Sequence, residues 1–342
     1  MYTTVLDRSA AIVAAARLAR NGASADGAGD LCARLPLLVD QVAAEAGVLE
    51  PRICAHALTE ARGDLARAVS LVRAWAATLP RLAGCTVTSA GMRPLRRITP
   101  AFADPPGGQY LGASLDYAQR LLDLDDAPAS HPDEPGPAAT TPPARPPGPF
   151  PRALDALERQ GLVAGPEDGP GREGLLRRLA RGETGAMTAL AYSAIRGSGQ
   201  RSDPTLVELR QGMVPVTVAH PRSGEPVTVG ELVATCAEVV LYRVHDGVAD
   251  PRLTAGAGAT CGRVERRAIS AALLDAGCAR ATLDATPPPS EDREFLEIVL
   301  DGQEAAGFVE HLKLPHHVTF TSDLDRLTSV SARVDDPTEG AP

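Results

Sequence analysis

From residue 7 to residue 82 apolar side chains recur at three- and four-residue intervals, the spacing of one buried helix face. Ser9–Ala19 is rich in Ala and Leu. Leu31–Ala46 repeats Leu, Val and Ala at helical spacing, and 65–79 carries a continuous apolar stripe. Asp64, after Gly63, stands where a helix N-cap belongs, and Pro80 ends the run. Trp75, the chain's one tryptophan, is expected to anchor the core of this helical layer.

The pattern then changes. Gly91-Met-Arg-Pro-Leu-Arg-Arg-Ile98 and Asp104-Pro-Pro-Gly-Gly-Gln-Tyr-Leu-Gly112 lead into a helix bearing Asp116, Tyr117 and Arg120. Residues 127–151, with repeated Pro, fit a linker or exposed loop. Helical spacing returns over 152–200, with a break at Gly165–Gly171 and a stop at Gly197-Ser-Gly199. Val214–Val218 and Pro226–Gly230 alternate as strands around a hairpin-type turn, His220-Pro-Arg-Ser-Gly-Glu225, and Glu238–Val244 is a further strand. A helix is expected over 263–276, a loop at Pro287–Pro289, and a strand or short helix over 294–302. The resulting organisation is a helical region 1–85, a connection 86–126, a linker 127–151, a mixed region 152–334 and a frayed tail 335–342. The fold class is α+β, a helical N-terminal layer followed by a mixed α/β part.

At 342 residues and 44% hydrophobic the chain can bury one large core or two smaller ones. Its net charge of −9 argues against general nucleic-acid binding. No run is long enough to span a bilayer, and the first residues carry no export signal, so a cytoplasmic location is expected. The 6 cysteines are scattered, without a Cys-x-x-Cys pair, which suits reduced thiols better than a disulfide framework or a Cys-rich metal site.

Candidate chemistry concentrates near the C-terminus. Of 34 Lys and Arg residues, Lys313 is the one lysine, in Glu310-His-Leu-Lys-Leu-Pro-His-His317. An ammonium is a compact point charge that a planar guanidinium cannot replace; alternatively Lys313 lies across the Leu312/Leu314 surface with its charge in water. Pro315 forces a stop after a helix over 304–312. A turn there can bring His311 and His316 to one side as two nitrogen ligands for a divalent metal.

Three glycine-bearing segments are candidate anion sites. Ala255-Gly-Ala-Gly-Ala-Thr-Cys-Gly262, with Gly256, Gly258 and Gly262, enters a helix starting near Glu265 and can offer backbone N–H groups to phosphate, or be a flexible loop. Arg196, with Arg201, flanks a Gly-rich helix end and can fork phosphate oxygens or sit solvated. Gly107 and Gly108 permit close approach of backbone to a ligand, or a tight structural loop.

Taken in order, Gly91–Ile98, Pro106–Gly112, Asp116–Asp123, Leu190–Gly197, Val229–Leu232 and Glu304–His316 resemble the PhnI subunit family of the bacterial carbon–phosphorus lyase core complex. The resemblance covers most of the chain outside 127–185, which is shorter and richer in Pro and Ala than in the family. It implies a ribosyl transfer in phosphonate catabolism. An alkylphosphonate displaces adenine from ATP, a substrate here, at the ribose anomeric carbon, giving α-D-ribose 1-methylphosphonate 5-triphosphate. It implies purine nucleosidase activity for the subunit alone, and Zn²⁺ on His311 and His316. It implies partners as well: a radical S-adenosylmethionine subunit with an iron–sulfur cluster, ABC-type ATPase subunits, and a second copy of this chain in a symmetric complex. Within that reading Glu265 and Lys313 are the candidate catalytic residues, and Arg196, Gly107, Gly108, Gly256, Gly258 and Gly262 the substrate-binding candidates. The competing readings are a structural subunit that lends two histidines to a neighbour's site, and an unrelated metal-dependent hydrolase.

Overall fold

Prolines and short polar caps set the helix starts. In the computed structural model, which describes residues 28–80, 84–110, 150–164, 170–196, 204–245, 248–281, 286–315 and 319–334, Pro36 and Pro51 open two helices from first-turn positions, where the missing N–H costs nothing. The helical layer comprises α1 (Ala28–Arg34), α2 (Pro36–Ala46), α3 (Pro51–Glu60) and α4 (Leu65–Ala77). The stretch expected as one helix over 31–46 is therefore two, broken at Leu35 by the proline that follows. Asp64 caps α4, its carboxylate accepting from Arg67 N at 3.0 Å. Val39, Val42, Cys54, Leu58, Val69 and Val72 form the layer's own core. Trp75 is not part of it: it is 40% exposed, on the outer side of α4. Ser9–Ala19 lies outside the described residues.

The connection after α4 supplies sheet rather than linker. β1 (Cys85–Val87) and β2 (Arg93–Ile98) both pair antiparallel with β4 (Thr205–Ala219). β4, β5 (Pro226–His245) and β6 (Val248–Cys261) form an antiparallel meander, and the two-residue β3 (Val163–Ala164) closes the far edge parallel to β6. The expected hairpin is present, with Ala219 opposite Pro226. His220 N donates to Glu225 O at 2.8 Å, and the His220 ring accepts from Ser223 N at 3.2 Å. The two strands expected at 226–230 and 238–244 are one 20-residue strand.

One sheet face is covered by α8 (Glu265–Ala281), backed by α6 (Pro170–Arg181), α7 (Thr184–Arg196) and α9 (Arg293–Val299). Leu209, Ala237, Val239 and Leu241 of the sheet meet Ala268, Ala272 and Leu274 of α8 there. Of residues 294–302, open between strand and helix in the sequence, 294–299 are helical in α9. The segment Ala255–Gly262 is strand β6 followed by a tight turn, not a loop entering a helix. A Cβ on Gly256 would strike Ala276 N at 2.5 Å and Ala276 Cβ at 2.7 Å. One on Gly258 would strike the Ala268 carbonyl and Ala272 N. These glycines let α8 lie directly on the strand. On the opposite face, α5 (Leu154–Arg159) covers Val207, Val240 and Ala255 with Ala153 and Leu154.

A buried arginine joins the helical layer to this body. Arg267 of α8 donates to Glu45 Oε1 of α2 at 3.3 Å, to Gly182 O at 2.8 Å and to Thr184 Oγ1 at 2.6 Å. Glu45 Oε1 also accepts from Thr184 N at 3.0 Å, which caps α7. Burial pushes the Arg267 pKa down, and the charges of Glu45 and Glu183 resist that shift.

The described chain divides into two units between Gln303 and Glu304. The second contains most of α10 (Gly302–His311) and all of α11 (Phe320–Val334). No helix among the described residues is long and apolar enough to cross a membrane. The helix expected at Asp116–Arg120, the linker at 127–149, the break at 165–169, Gly197–Gly199 and the tail after Val334 lie outside the described residues.

Candidate functional site

Two segments far apart in sequence meet at Arg97. β2 delivers its side chain to the α5 face of the sheet, and the backbones of Arg97 and Tyr110 exchange hydrogen bonds at 2.6 and 3.0 Å. The guanidinium is fully buried. Its Nε donates to Glu208 Oε1 at 2.6 Å. Nη1 donates to the carbonyls of Pro106 at 2.8 Å and Gly108 at 2.5 Å, and Nη2 to Pro151 O at 3.0 Å. Phe150 stacks on it, its ring centroid 4.6 Å away. Gly107 and Gly108 have φ of +80° and +79°, and a Cβ on Gly107 would lie 2.8 Å from Pro151 Cδ. The two glycines therefore make the turn that aims carbonyls at Arg97, the structural alternative the sequence left open.

Beside Arg97 lies a row of charge across the strands. Glu208 of β4 stands opposite Glu238 of β5, and Arg210 opposite Cys236. Cross-strand partners share a face, so all four point the same way. Glu208 is satisfied at both oxygens, by Arg97 and by Ala153 N at 3.1 Å. Glu238 Oε1 accepts from Arg152 Nε at 2.5 Å, while its Oε2 is buried with no hydrogen-bond partner among the described residues. Burial pushes the Glu238 pKa up, Glu208 adds to the rise, and Arg152 and Arg210 only partly oppose it. Burial works against the Arg152 charge too, but the hydrogen bond and charge of Glu238 overcome it and raise the Arg152 pKa. Glu238, Glu208, Arg210, Cys236 and Ser89 line a cleft of ≈ 260 Å³, together with Ala257, Gly258 and Ala259 of β6 and Leu176 and Leu179 of α6. Burial also raises the Cys236 thiol pKa, which makes it a poor nucleophile.

A second cleft of ≈ 300 Å³ gathers Arg73, Arg177, Arg178 and Arg181 against Glu297 and Asp301. Arg73 donates to Asp301 at 3.2 Å and to Glu45 O at 2.8 Å, and Arg178 pairs with Glu297 at 3.3 Å. Arg177 pairs with Glu173 at 3.4 Å and Arg181 donates to Ala46 O at 3.1 Å; guanidinium groups gathered in this way suit a multiply charged anion.

The remaining sequence candidates of the first unit are spread over β6, the turn after it, α7 and α8. Glu265, the first residue of α8, forms an ion pair with buried Arg96 at 3.0 Å. Gly256 and Gly258 are the packing glycines of β6. Gly262 has φ +89° and turns against Asp40, whose carboxylate accepts from Arg263 N at 2.9 Å. Arg196 ends α7 on the surface. His311 is the last residue of α10 and exposed. Its carbonyl accepts from Leu314 N at 2.9 Å in the tight turn expected there. Lys313 is exposed, its Nζ 3.4 Å from Glu310. His316 and His317 lie outside the described residues, and among the described residues no group of three or more His, Cys, Asp or Glu could hold a metal. The residues the sequence reading passed over are Glu208 and Glu238. Their signal was a carboxylate inside an apolar strand run, Val207-Glu-Leu and Ala237-Glu-Val-Val240.

Fold and clefts together define an α+β protein in which a buried carboxylate stands among guanidinium groups, a donor set suited to proton transfer on an anionic small molecule. Over residues 1–334 the sequence matches the family described as bacterial phosphonate metabolism protein (PhnI), and the chain belongs to that family. Its relatives include the putative C-P lyase subunit protein HtxH of Stutzerimonas stutzeri, 39% identical over 90% of this chain and 89% of that protein. They also include the α-D-ribose 1-methylphosphonate 5-triphosphate synthase subunits PhnI of Rhizobium meliloti (strain 1021) and Escherichia coli (strain K12). Each is 36% identical, over 95% and 86% of this chain and 93% and 86% of the relative.

Proposed function

We propose that this chain is the ribosyl-transferring subunit of an α-D-ribose 1-methylphosphonate 5-triphosphate synthase, exchanging the adenine of ATP for an alkylphosphonate at the anomeric carbon. The observation that carries the reading is 36% identity, over 95% and 86% of this chain, to two subunits named for that synthase. Loss of a base from an anomeric carbon passes through an oxocarbenium-like state, so the protein must supply positioning, charge stabilisation and a proton for the leaving base. The buried carboxylate cleft and the arginine cleft are of the right chemical kind.

The relatives' names as subunits support action within a complex. We place a radical S-adenosylmethionine subunit, ABC-type ATPase subunits and a second copy of this chain among its partners. The unit after Gln303 supports that reading. Phe308 of α10, Leu312 just after it, and Phe320 and Leu327 of α11 are 74%, 69%, 74% and 62% exposed, apolar surface of the kind that interaction sites carry. In the same reading His311 and His316 hold Zn²⁺. The observed tight turn after His311 fits such a pair, and two neutral imidazoles are suitable donors. When bound, zinc would supply Lewis-acid polarisation of a phosphoryl oxygen.

The test is a reconstitution. The purified chain with its partner subunits, ATP and methylphosphonate is expected to release adenine, detected by chromatography, together with a phosphonate ester of ribose triphosphate. ATP recovered intact from a fully assembled complex would overturn the assignment.

A further inference from the structure

Among the described residues, Glu238 Oε2 is the one carboxylate oxygen that is fully buried without a hydrogen-bond partner. The residue is 8% exposed, in the middle of the central strand β5. Its Oε1 is held by Arg152, which fixes the direction of the carboxyl group; Oε2 is buried with no partner among the described residues, and Glu238 is one of the residues that line the ≈ 260 Å³ cleft. That volume is just under the ~300–1,000 Å³ usual for small-molecule sites. Structures seldom keep a buried polar atom unsatisfied without a use for it. Its neighbour Glu208, equally buried, is saturated by Arg97 and Ala153 N and cannot serve in the same way.

We propose that Glu238 is the acid that delivers a proton to the departing purine, with the base seated in the cleft beside Glu238, Arg210 and Ser89. This rests on the ribosyl-transfer reading above. In the step, a phosphonate oxygen forms a bond to the anomeric carbon as the bond from that carbon to N9 breaks. The electron pair of the broken bond passes into the imidazole ring of adenine, and the Glu238 proton moves to N7, so neutral adenine departs. Glu238 is left as a carboxylate held by Arg152 and takes a proton from water before the next turnover.

The surroundings favour a carboxyl that carries its proton to higher pH than an ordinary one. The charged groups facing it are Glu208 and Arg210 from β4 and Arg152 from the segment before α5. Arg97 stands behind Glu208, and Asp155 and Glu158 behind Arg152. Cys236 lies on its own strand, and β6 brings only Ala257 opposite. Burial is the largest influence and raises the pKa from 4.5, so the acid form persists above the pH at which a solvated glutamate has lost it.

The test uses the reconstituted complex with two substrates, ATP and N7-methylated ATP. The methylated base already carries positive charge and leaves without a proton. Glu238→Gln keeps the shape and a hydrogen-bond acceptor for Arg152. With ATP, adenine release is expected to fall by ~10²-fold or more, the usual contribution of a general acid; with the N7-methylated substrate it is expected to stay within a few-fold of wild type. Equal loss on both substrates would assign Glu238 a structural part and overturn the proposal. If the variant does not fold, wild type alone decides. Its rate with ATP must fall as pH rises through the Glu238 titration, and its rate with the methylated base must not; two identical profiles refute the proton transfer. Wild type inactive on both substrates removes the ribosyl-transfer reading itself, a result distinct from either of these.

Discussion

Replacing Gly258 with Ala separates two roles for the Gly-Ala-Gly segment, a phosphate cradle and a close helix–strand contact. The added Cβ would collide with the Ala268 carbonyl and Ala272 N of α8, and would stand 2.8 Å from Ala271 Cβ where 3.4–4 Å is ordinary contact. Two of these obstacles are backbone, so no rotamer change relieves them. The helix must retreat by roughly 1 Å along a contact that includes Ala268, Ala272 and Leu274, each buried. Overpacking of a close-packed core costs about 1–3 kcal/mol, and a backbone clash belongs at the top of that range. With a denaturant slope of ~3 kcal/mol per M in urea for a chain of this size, the midpoint should drop by about 1 M. Urea unfolding followed by far-ultraviolet circular dichroism measures this directly. A midpoint unchanged within ~0.2 M, with nucleotide binding selectively lost, would refute the packing account and restore the phosphate role.

Four further outcomes are expected. Glu45→Ala leaves Arg267 buried without its counter-charge and should cost about 3–5 kcal/mol in the same unfolding assay, with faster hydrogen exchange in α2 and at the start of α7. Asp64→Ala removes the α4 cap and should cost ~1 kcal/mol. Burial pushes the Cys54 and Cys278 thiols up to about 12. Both should therefore resist thiol reagents at pH 8 until the chain unfolds, and stability should fall as pH rises from 9 toward 12, because only the unfolded thiols ionise there; labelling of either in the folded protein contradicts this. Lys313→Arg should leave stability unchanged, since Arg can replace the exposed pair with Glu310. It should slow growth on a phosphonate if the compact ammonium matters, and equal growth at equal protein level would assign Lys313 to the surface.

What the sequence made legible depended on whether a signal was local. Helical periodicity located α4 and its Asp64 cap, and the turn chemistry of His220–Glu225 located the β4–β5 hairpin, because each is written within a dozen residues. The alternation of Ala and Gly in β6 carries no such message. A strand that lies against a helix backbone needs small residues, and small residues read as a loop when the helix they accommodate is not yet in view. Trp75 misled for the opposite reason: its size suggests a core, but it falls off the face of α4 that Ala68, Val69 and Val72 bury.

The same distinction governs the site. Histidines and a lone lysine draw attention as residue types, and the string at 311–316 is one of six segments that together make the family recognisable. Glu208 and Glu238 are ordinary residues until the register of β4 against β5 sets them face to face and brings Arg97, Arg152 and Arg210 around them from separate segments. A solvated surface glutamate would break no rule and need no partner. One placed inside Ala237-Glu-Val-Val240 must be matched or costs stability. Arg152 matches only half of it. A fold that saturates Glu208 and leaves Glu238, directly opposite it, half answered has given the two carboxylates different work. Glu208 holds Arg97 and the start of α5 in place, and Glu238 is the group left able to act on something that enters the cleft.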